Sequence, residues 1–270
     1  MSPTPPSNGP SDASYAFDGH RVACIVQGEG HDVVIVHGIG GRKEDFLPVI
    51  AALAARFTVH AIDMVGFGQS SKDAPSITIG LQVEALHALL SQRGIARAHL
   101  IGNSLGAWVA AAYAAAHPSR VDRLVLIDAA GLKLTLAGPP PVNFAPDTVE
   151  EMHALLATVL DAPFAQTPEF AAQALAGFKA GGEAATLAKL FAAFGALDNR
   201  DRPLDDLLSA IQSPTLVAWG ANDRLFPAAL ADFVVAGIPG ARKLLIPNAS
   251  HFPQVDNPVA LNAALLEFLA

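Results

Sequence analysis

Four consecutive β-branched residues, Val33-Val34-Ile35-Val36, place the strongest constraint on how this chain can fold. Such a run suits a strand buried on both faces, and that burial calls for a parallel sheet with helices above and below. The rest of the sequence supplies the parts. Further strands are expected over residues 22–26, 57–62, 98–101, 124–127, 215–219 and 243–246. Helices are expected over 44–55, 79–92 and 105–116, and in a last segment that opens with Asn257 as N-cap and Pro258 at the first helical position. In 79–92, Leu81, Ala85, Leu86, Leu89 and Leu90 form one apolar stripe. The last helix would bury Leu261, Leu265, Phe268 and Leu269. This alternation predicts an α/β fold with a mostly parallel sheet. Residues 132–208 break the rhythm. They hold no convincing strand, are rich in Ala, Leu and Phe, and read as a helical insertion over the carboxyl edge of the sheet.

Composition narrows the function classes. The formal charge of −8 argues against a nucleic-acid or anionic-membrane partner. The longest apolar run, residues 107–116, is about half of the ~20 residues that a membrane span needs. Cys24 is the single cysteine, which excludes an intramolecular disulfide and a Cys-based zinc site. Residues 1–14 carry most of the Pro/Ser/Asn/Gly bias, lack the basic and apolar parts of a signal peptide, and read as a disordered tail. A cytoplasmic protein, monomer or homodimer, is expected.

Four short motifs follow predicted strands. In Gly102-Asn103-Ser104-Leu105-Gly106 a serine stands between a strand and a helix on a tight turn, with glycines where larger side chains would meet crossing backbone. Such a turn exposes the hydroxyl at the positive end of a helix. A serine hydroxyl needs a base. His251, between the last strand and the last helix, is the candidate, and His37 is read as packing beneath the loop that follows it. The base in turn needs an acid to fix its tautomer. Asp223, after the strand 215–219, is the first candidate and Asp128, after the strand 124–127, the alternative. Asp63 is read as bonding backbone in its glycine turn. Oxyanion donors are expected from the N–H of Leu105 and, in His37-Gly38-Ile39-Gly40-Gly41, the N–H of Ile39. Neither this loop nor Gly66-Phe67-Gly68 completes a dinucleotide-binding pattern. No histidine pair shows metal-ligand spacing, so no metal and no cofactor are expected.

Taken together, His37-Gly38, the 63–70 turn, 102–106, 220–223 and Ser250-His251 resemble the α/β-hydrolase superfamily over about residues 15–270. The resemblance implies an eight-stranded, mostly parallel sheet, a core of residues 15–131 and 209–270, and residues 132–208 as a lid or cap. It implies a serine nucleophile at Ser104, which sets the chain apart from dehalogenases and epoxide hydrolases with aspartate there. Asn103 and Phe252 are similar to residues of the meta-cleavage-product hydrolases, which split carbon–carbon bonds in vinylogous diketone acids. Those enzymes also hold the substrate acid with a cap arginine, for which Arg200 is the candidate here, and carry a serine where this chain has Ile39. The expectation is a serine hydrolase for a small hydrophobic or aromatic ester, with Asn103, Phe252 and Arg200 at the substrate. Carbon–carbon hydrolysis is the alternative, and a non-catalytic ligand-binding module on the same fold is a third possibility.

Overall fold

The computed structural model describes residues 9–137, 142–196 and 201–270. Eight strands form one sheet: β1 (Ser11–Phe17), β2 (His20–Gln27), β3 (His31–Val36), β4 (Phe57–Ile62), β5 (Ala98–Asn103), β6 (Val121–Ile127), β7 (Thr215–Gly220) and β8 (Arg242–Ile246). Their spatial order is β1-β2-β4-β3-β5-β6-β7-β8. β1, β2 and β4 pair antiparallel, and every other pairing is parallel.

The helices are α1 (Leu47–Leu53), α2 (Ile79–Gln92), α3 (Leu105–Ala116), α4 (Lys133–Leu136), α5 (Val149–Val159), α6 (Pro168–Gly181), α7 (Glu183–Ala196), α8 (Leu230–Gly237), α9 (Pro253–Asp256) and α10 (Pro258–Leu269). α2, α3 and α8 bury Leu86, Leu89, Ala111 and Val234 against one face of the sheet. α1 and α10 bury Val49, Ile50, Leu53, Leu261 and Leu265 against the other. The β-branched run of β3 is therefore enclosed from both sides, with Val33 to Val36 at 1% exposure or less. Local signals fix the helix ends. Thr78 accepts the Leu81 N–H at 3.0 Å to start α2, and Asn257 accepts the Ala260 N–H at 3.2 Å to start α10.

The chain departs from expectation at three places. Residues 11–14, read as tail, belong to β1, which pairs with β2 from Ser11↔Val26 to Phe17↔His20. Edge pairing rather than burial makes this strand, since Tyr15 is its one buried residue. Its hairpin turn is Asp18-Gly19, both at positive φ, the residue pair that a tight two-residue hairpin favours. The helix expected over 44–55 divides into a 3₁₀ turn, Lys43–Phe46, and α1. Pro48, which lacks an N–H, sits in the first turn of α1. α8 was not anticipated.

β4 lies on one side of β3 and β5 on the other. Loops that leave the carboxyl ends of β3 and β5 therefore face each other across a switch in strand order, where α/β sheets open a crevice. Between β6 and β7 the described residues form α4 to α7 and 3₁₀ turns, with no strand.

Candidate active site

Ser104 joins β5 to α3 at φ 55°, ψ −116°. That conformation is unfavourable for a residue with a Cβ, and backbone bonds hold it. The Ser104 N–H donates to Ile127 O at 2.9 Å, and the Ser104 carbonyl accepts from the N–H groups of Ala107, Trp108 and Ala130. A Cβ on Gly102 would lie 2.2 Å from Gly106 O, and one on Gly106 would lie 2.2 Å from Val36 O. Only glycine lets these backbones cross.

His251 follows β8, and its N–H donates to Val159 O of α5 at 3.1 Å. Its ring stands edge-on to Phe226 and Phe252, with centroids 5.2 and 5.4 Å away. Nδ1 is 2.9 Å from Asp223 Oδ2. Asp223 Oδ1 accepts the N–H groups of Leu225 at 2.8 Å and Phe226 at 2.9 Å. Burial works to raise the Asp223 pKa, but the bonds from His251 and Phe226 outweigh it and hold the group below the usual carboxylate range. An ionised Asp223 accepts the proton on Nδ1, which leaves the lone pair of a neutral ring on Nε2. Nε2 is buried and has no hydrogen-bond partner among the described residues. His251 and Ser104 line the same chamber.

The loop after β3 is held from below. His37 Nε2 accepts the Met64 N–H at 3.0 Å, so Nδ1 carries the proton and donates to Gly38 O at 2.7 Å. Burial lowers the His37 pKa, in keeping with a neutral ring. Asp63 takes the N–H groups of Lys43 and Gln69 and the Lys43 ammonium, each within 2.9 Å. Burial pushes Asp63 up, yet the ammonium and these N–H groups prevail and hold it low. The ion pair is almost solvent-free, with Lys43 at 1% and Asp63 at 0% exposure. The sequence reading had Asp63 on backbone alone and missed Lys43.

The residues expected at the substrate part company. Phe252 lines the chamber that holds His251. Asn103 does not reach it. Asn103 is fully buried, its amide donates to Ile127 O and His251 O, and its Oδ1 accepts from Gln254 Nε2 at 3.2 Å. It ties the serine turn to the histidine loop, because it points beneath the turn that lifts Ser104. Arg200 lies outside the described residues. Phe226, which sequence reasoning overlooked, lies three residues beyond Asp223.

Two chambers meet at Ser104, Ile39 and Phe144. The first, about 740 Å³, is lined by Leu105, Trp108, Phe191, Phe194 and Phe226 among others, and no charged residue is among the described residues that line it. The second, about 370 Å³, runs past Met152, Leu156 and Phe170 but has a polar end at Arg42, Asp45 and Glu183. Burial lifts Asp45 to about 6 and also raises Glu183. At the opposite, amino edge of the sheet, His31, His99 and Asp122 come together, which their spacing in sequence did not suggest. The Asp122 carboxylate there is already bonded by His31 at 2.8 Å and Arg97 at 2.6 Å.

A family model for the alpha/beta hydrolase fold matches residues 33–258. The chain belongs to the α/β-hydrolase family. It is similar to a pimeloyl-[acyl-carrier protein] methyl ester esterase of Aeromonas hydrophila, 30% identical over 86% of this chain and 92% of that protein. It is also similar to a 2-hydroxy-6-oxononadienedioate/2-hydroxy-6-oxononatrienedioate hydrolase of Cupriavidus pinatubonensis, 27% identical over 92% of this chain and 90% of the relative. Among solved structures, a bacterial membrane phospholipase A superposes with TM-score 0.81 at 29% identity, covering 97% of this chain and 86% of the other. The protein is thus an enzyme of the α/β-hydrolase fold. Among the described residues, no helix is long and apolar enough to cross a membrane.

Proposed function

We propose that this α/β-hydrolase is a serine hydrolase that cleaves a carboxylic ester of a hydrophobic or aromatic substrate through an acyl-enzyme. The observation that carries the reading is the Asp223–His251 pair on the wall of the chamber that the strained Ser104 also lines, with His251 Nε2 left without a partner among the described residues. The Ser104 hydroxyl attacks the ester carbonyl while His251 Nε2 takes its proton. Asp223 keeps the ring in that tautomer and balances the imidazolium that forms. The N–H groups of Ile39 and Leu105 receive the oxyanion. Both residues line the chamber with Ser104, and the N–H of Leu105 is free because it opens α3. Each such donor is worth about 2.7–4 kcal/mol in the transition state. His251 then returns the proton to the leaving alcohol and activates the water that frees the acid.

The chambers support an ester with two apolar arms, one on either side of the serine. Carbon–carbon hydrolysis is the second reading, favoured by Arg42 at the polar end of the smaller chamber and by likeness to the Cupriavidus enzyme. Arg42 there stands with two carboxyl groups, Asp45 and Glu183, which weakens its hold on an anionic substrate. The test is turnover of p-nitrophenyl esters of rising acyl length beside a coloured dienol ring-cleavage product. Fast, Ser104-dependent ester turnover with the dienol untouched supports the proposal. Dienol bleaching with feeble ester turnover replaces it with the second reading. No turnover of either, with binding of the esters retained, turns the protein into a ligand-binding module.

A further inference from the structure

A second carboxyl group stands behind the Asp223–His251 pair, and the proposed chemistry does not use it. Asp128 immediately follows β6 at φ 45° and is fully buried. Its N–H donates to Ala218 O at 3.0 Å, and its Oδ1 accepts the Gly220 N–H at 2.8 Å. Its Oδ2 is buried and has no donor. A carboxylate oxygen of Asp128, one of Asp223 and a ring nitrogen of His251 all lie within 4.8 Å of one another.

The two carboxyls differ in what surrounds them. Asp223 receives three donors, from Leu225, Phe226 and His251. Asp128 receives one. Two buried carboxyls this close do not both ionise, and the negative charge settles where the donors are. The proton is left on Asp128, where it satisfies the orphaned Oδ2 and supplies a donor to its neighbour.

We infer that Asp128 is a neutral carboxylic acid that donates a hydrogen bond to Asp223, and that it is a positioning residue for the acid of the proposed Ser104–His251–Asp223 set. This rests on the reading of Asp223 as that acid. The groups that face Asp128 are the Gly220 N–H, Asp223, His251 and, on α9, Asp256. Burial first, then the negative charge of Asp223, and to a lesser degree that of Asp256, push the Asp128 carboxyl well above the usual range. By sharing the charge of Asp223, the Asp128 proton moderates how strongly Asp223 draws the imidazole proton.

Asparagine can make both bonds, its amide N–H to Asp223 and its carbonyl to Gly220, but cannot ionise. Alanine makes neither. The experiment measures kcat/KM against pH on p-nitrophenyl butyrate, and Tm against pH, for wild type, Asp128→Asn and Asp128→Ala. Asp128→Asn is expected to stay within about fivefold of wild type, and Asp128→Ala to lose about 10- to 100-fold, with its acidic limb moved up by about one pH unit.

The Tm arm stands even if the alanine variant fails to fold. A carboxyl with a raised folded pKa contributes stability below its unfolded value of about 3.9 and loses it as pH rises toward the folded one. The Tm of Asp128→Asn minus that of wild type should therefore widen from about pH 4 upward. A gap that does not change with pH, or an asparagine variant as impaired as alanine while Asp223→Asn is dead, overturns the inference and leaves the reading of Asp223 intact. A dead Asp128→Asn beside a near-wild-type Asp223→Asn overturns both, because Asp128 is then itself the acid.

Discussion

The turns at the carboxyl edge of the sheet and the helical segment between β6 and β7 are built on opposite terms. At the edge, backbone meets backbone. The Gly102 and Gly106 positions leave 2.2 Å to a neighbouring carbonyl oxygen, and every polar atom of Asn103 is in use. In the helical segment, side chain meets side chain. The Phe191 ring lies 6.0 Å from that of Phe144, tilted to it, and 6.0 Å from that of Phe194, edge-on, and Gly177 in α6 has nothing within 4 Å of where a Cβ would stand. The contrast separates two jobs. In the proposed mechanism, the edge fixes the nucleophile, the base and two N–H groups to the tolerance that chemistry needs. The helices help to line two chambers, one of them polar at one end, through side chains rather than backbone crossings.

The comparison breaks first if the edge is not where the reaction occurs. Ser104→Ala should lower kcat/KM on p-nitrophenyl esters by about 10⁴-fold or more while Tm stays within a few degrees, since only a hydroxyl is lost. Asp223→Asn should follow at about 10³- to 10⁴-fold, because it disturbs the tautomer but not the fold. An edge variant with near-wild-type rate would remove that residue from the mechanism.

Stability sharpens the same contrast. Lys43→Met leaves the Asp63 charge buried and unpaired, and should cost about 3–5 kcal/mol in denaturant unfolding. Asp63 has a lowered folded pKa, so its contribution is present above the unfolded value of about 3.9 and is lost as pH falls through the folded one. Wild-type Tm should therefore drop on acidification through that window, below about pH 3.9, and the Lys43→Met deficit should shrink across it. Gly106→Ala should cost about 3 kcal/mol or more through its clash with Val36 O. Gly177→Ala, in an open helical position, should instead stabilise by about 0.5–1 kcal/mol. Equal effects at the two glycines would contradict the distinction between the regions.

A smaller effect probes the walls. Phe191→Ala enlarges the larger chamber, and should shift acyl-length preference by about tenfold toward bulkier esters. A uniform fall across the series would place Phe191 in structure alone.

The same division governed how much could be read in advance. β4, α2 and α3 run between residues whose chemistry marks their ends: Thr78 caps α2, and Pro118 stops α3. The glycine spacing around Ser104 was legible because crossing backbones tolerate no other residue. The proposed acid was narrowed to Asp223, with Asp128 as the alternative, since both follow strands, and their donors in the fold set the two apart. Asn103, expected at the substrate, is instead occupied by Ile127, His251 and Gln254, partners that only the fold brings together. β1 hid because an edge strand needs pairing more than burial, although Asp18-Gly19 marked its turn. The phenylalanines of α6 and α7 carry no local signal for which of them faces a chamber, because packing between helices decides it.

The most direct test of the central claim is intact-protein and peptide mass spectrometry after rapid acid quench of wild type with a p-nitrophenyl ester. The account requires one acyl group per chain, on the peptide that contains Ser104, formed with a burst of p-nitrophenol and absent from Ser104→Ala. Turnover with no acyl adduct, or an adduct on any other residue, would contradict it.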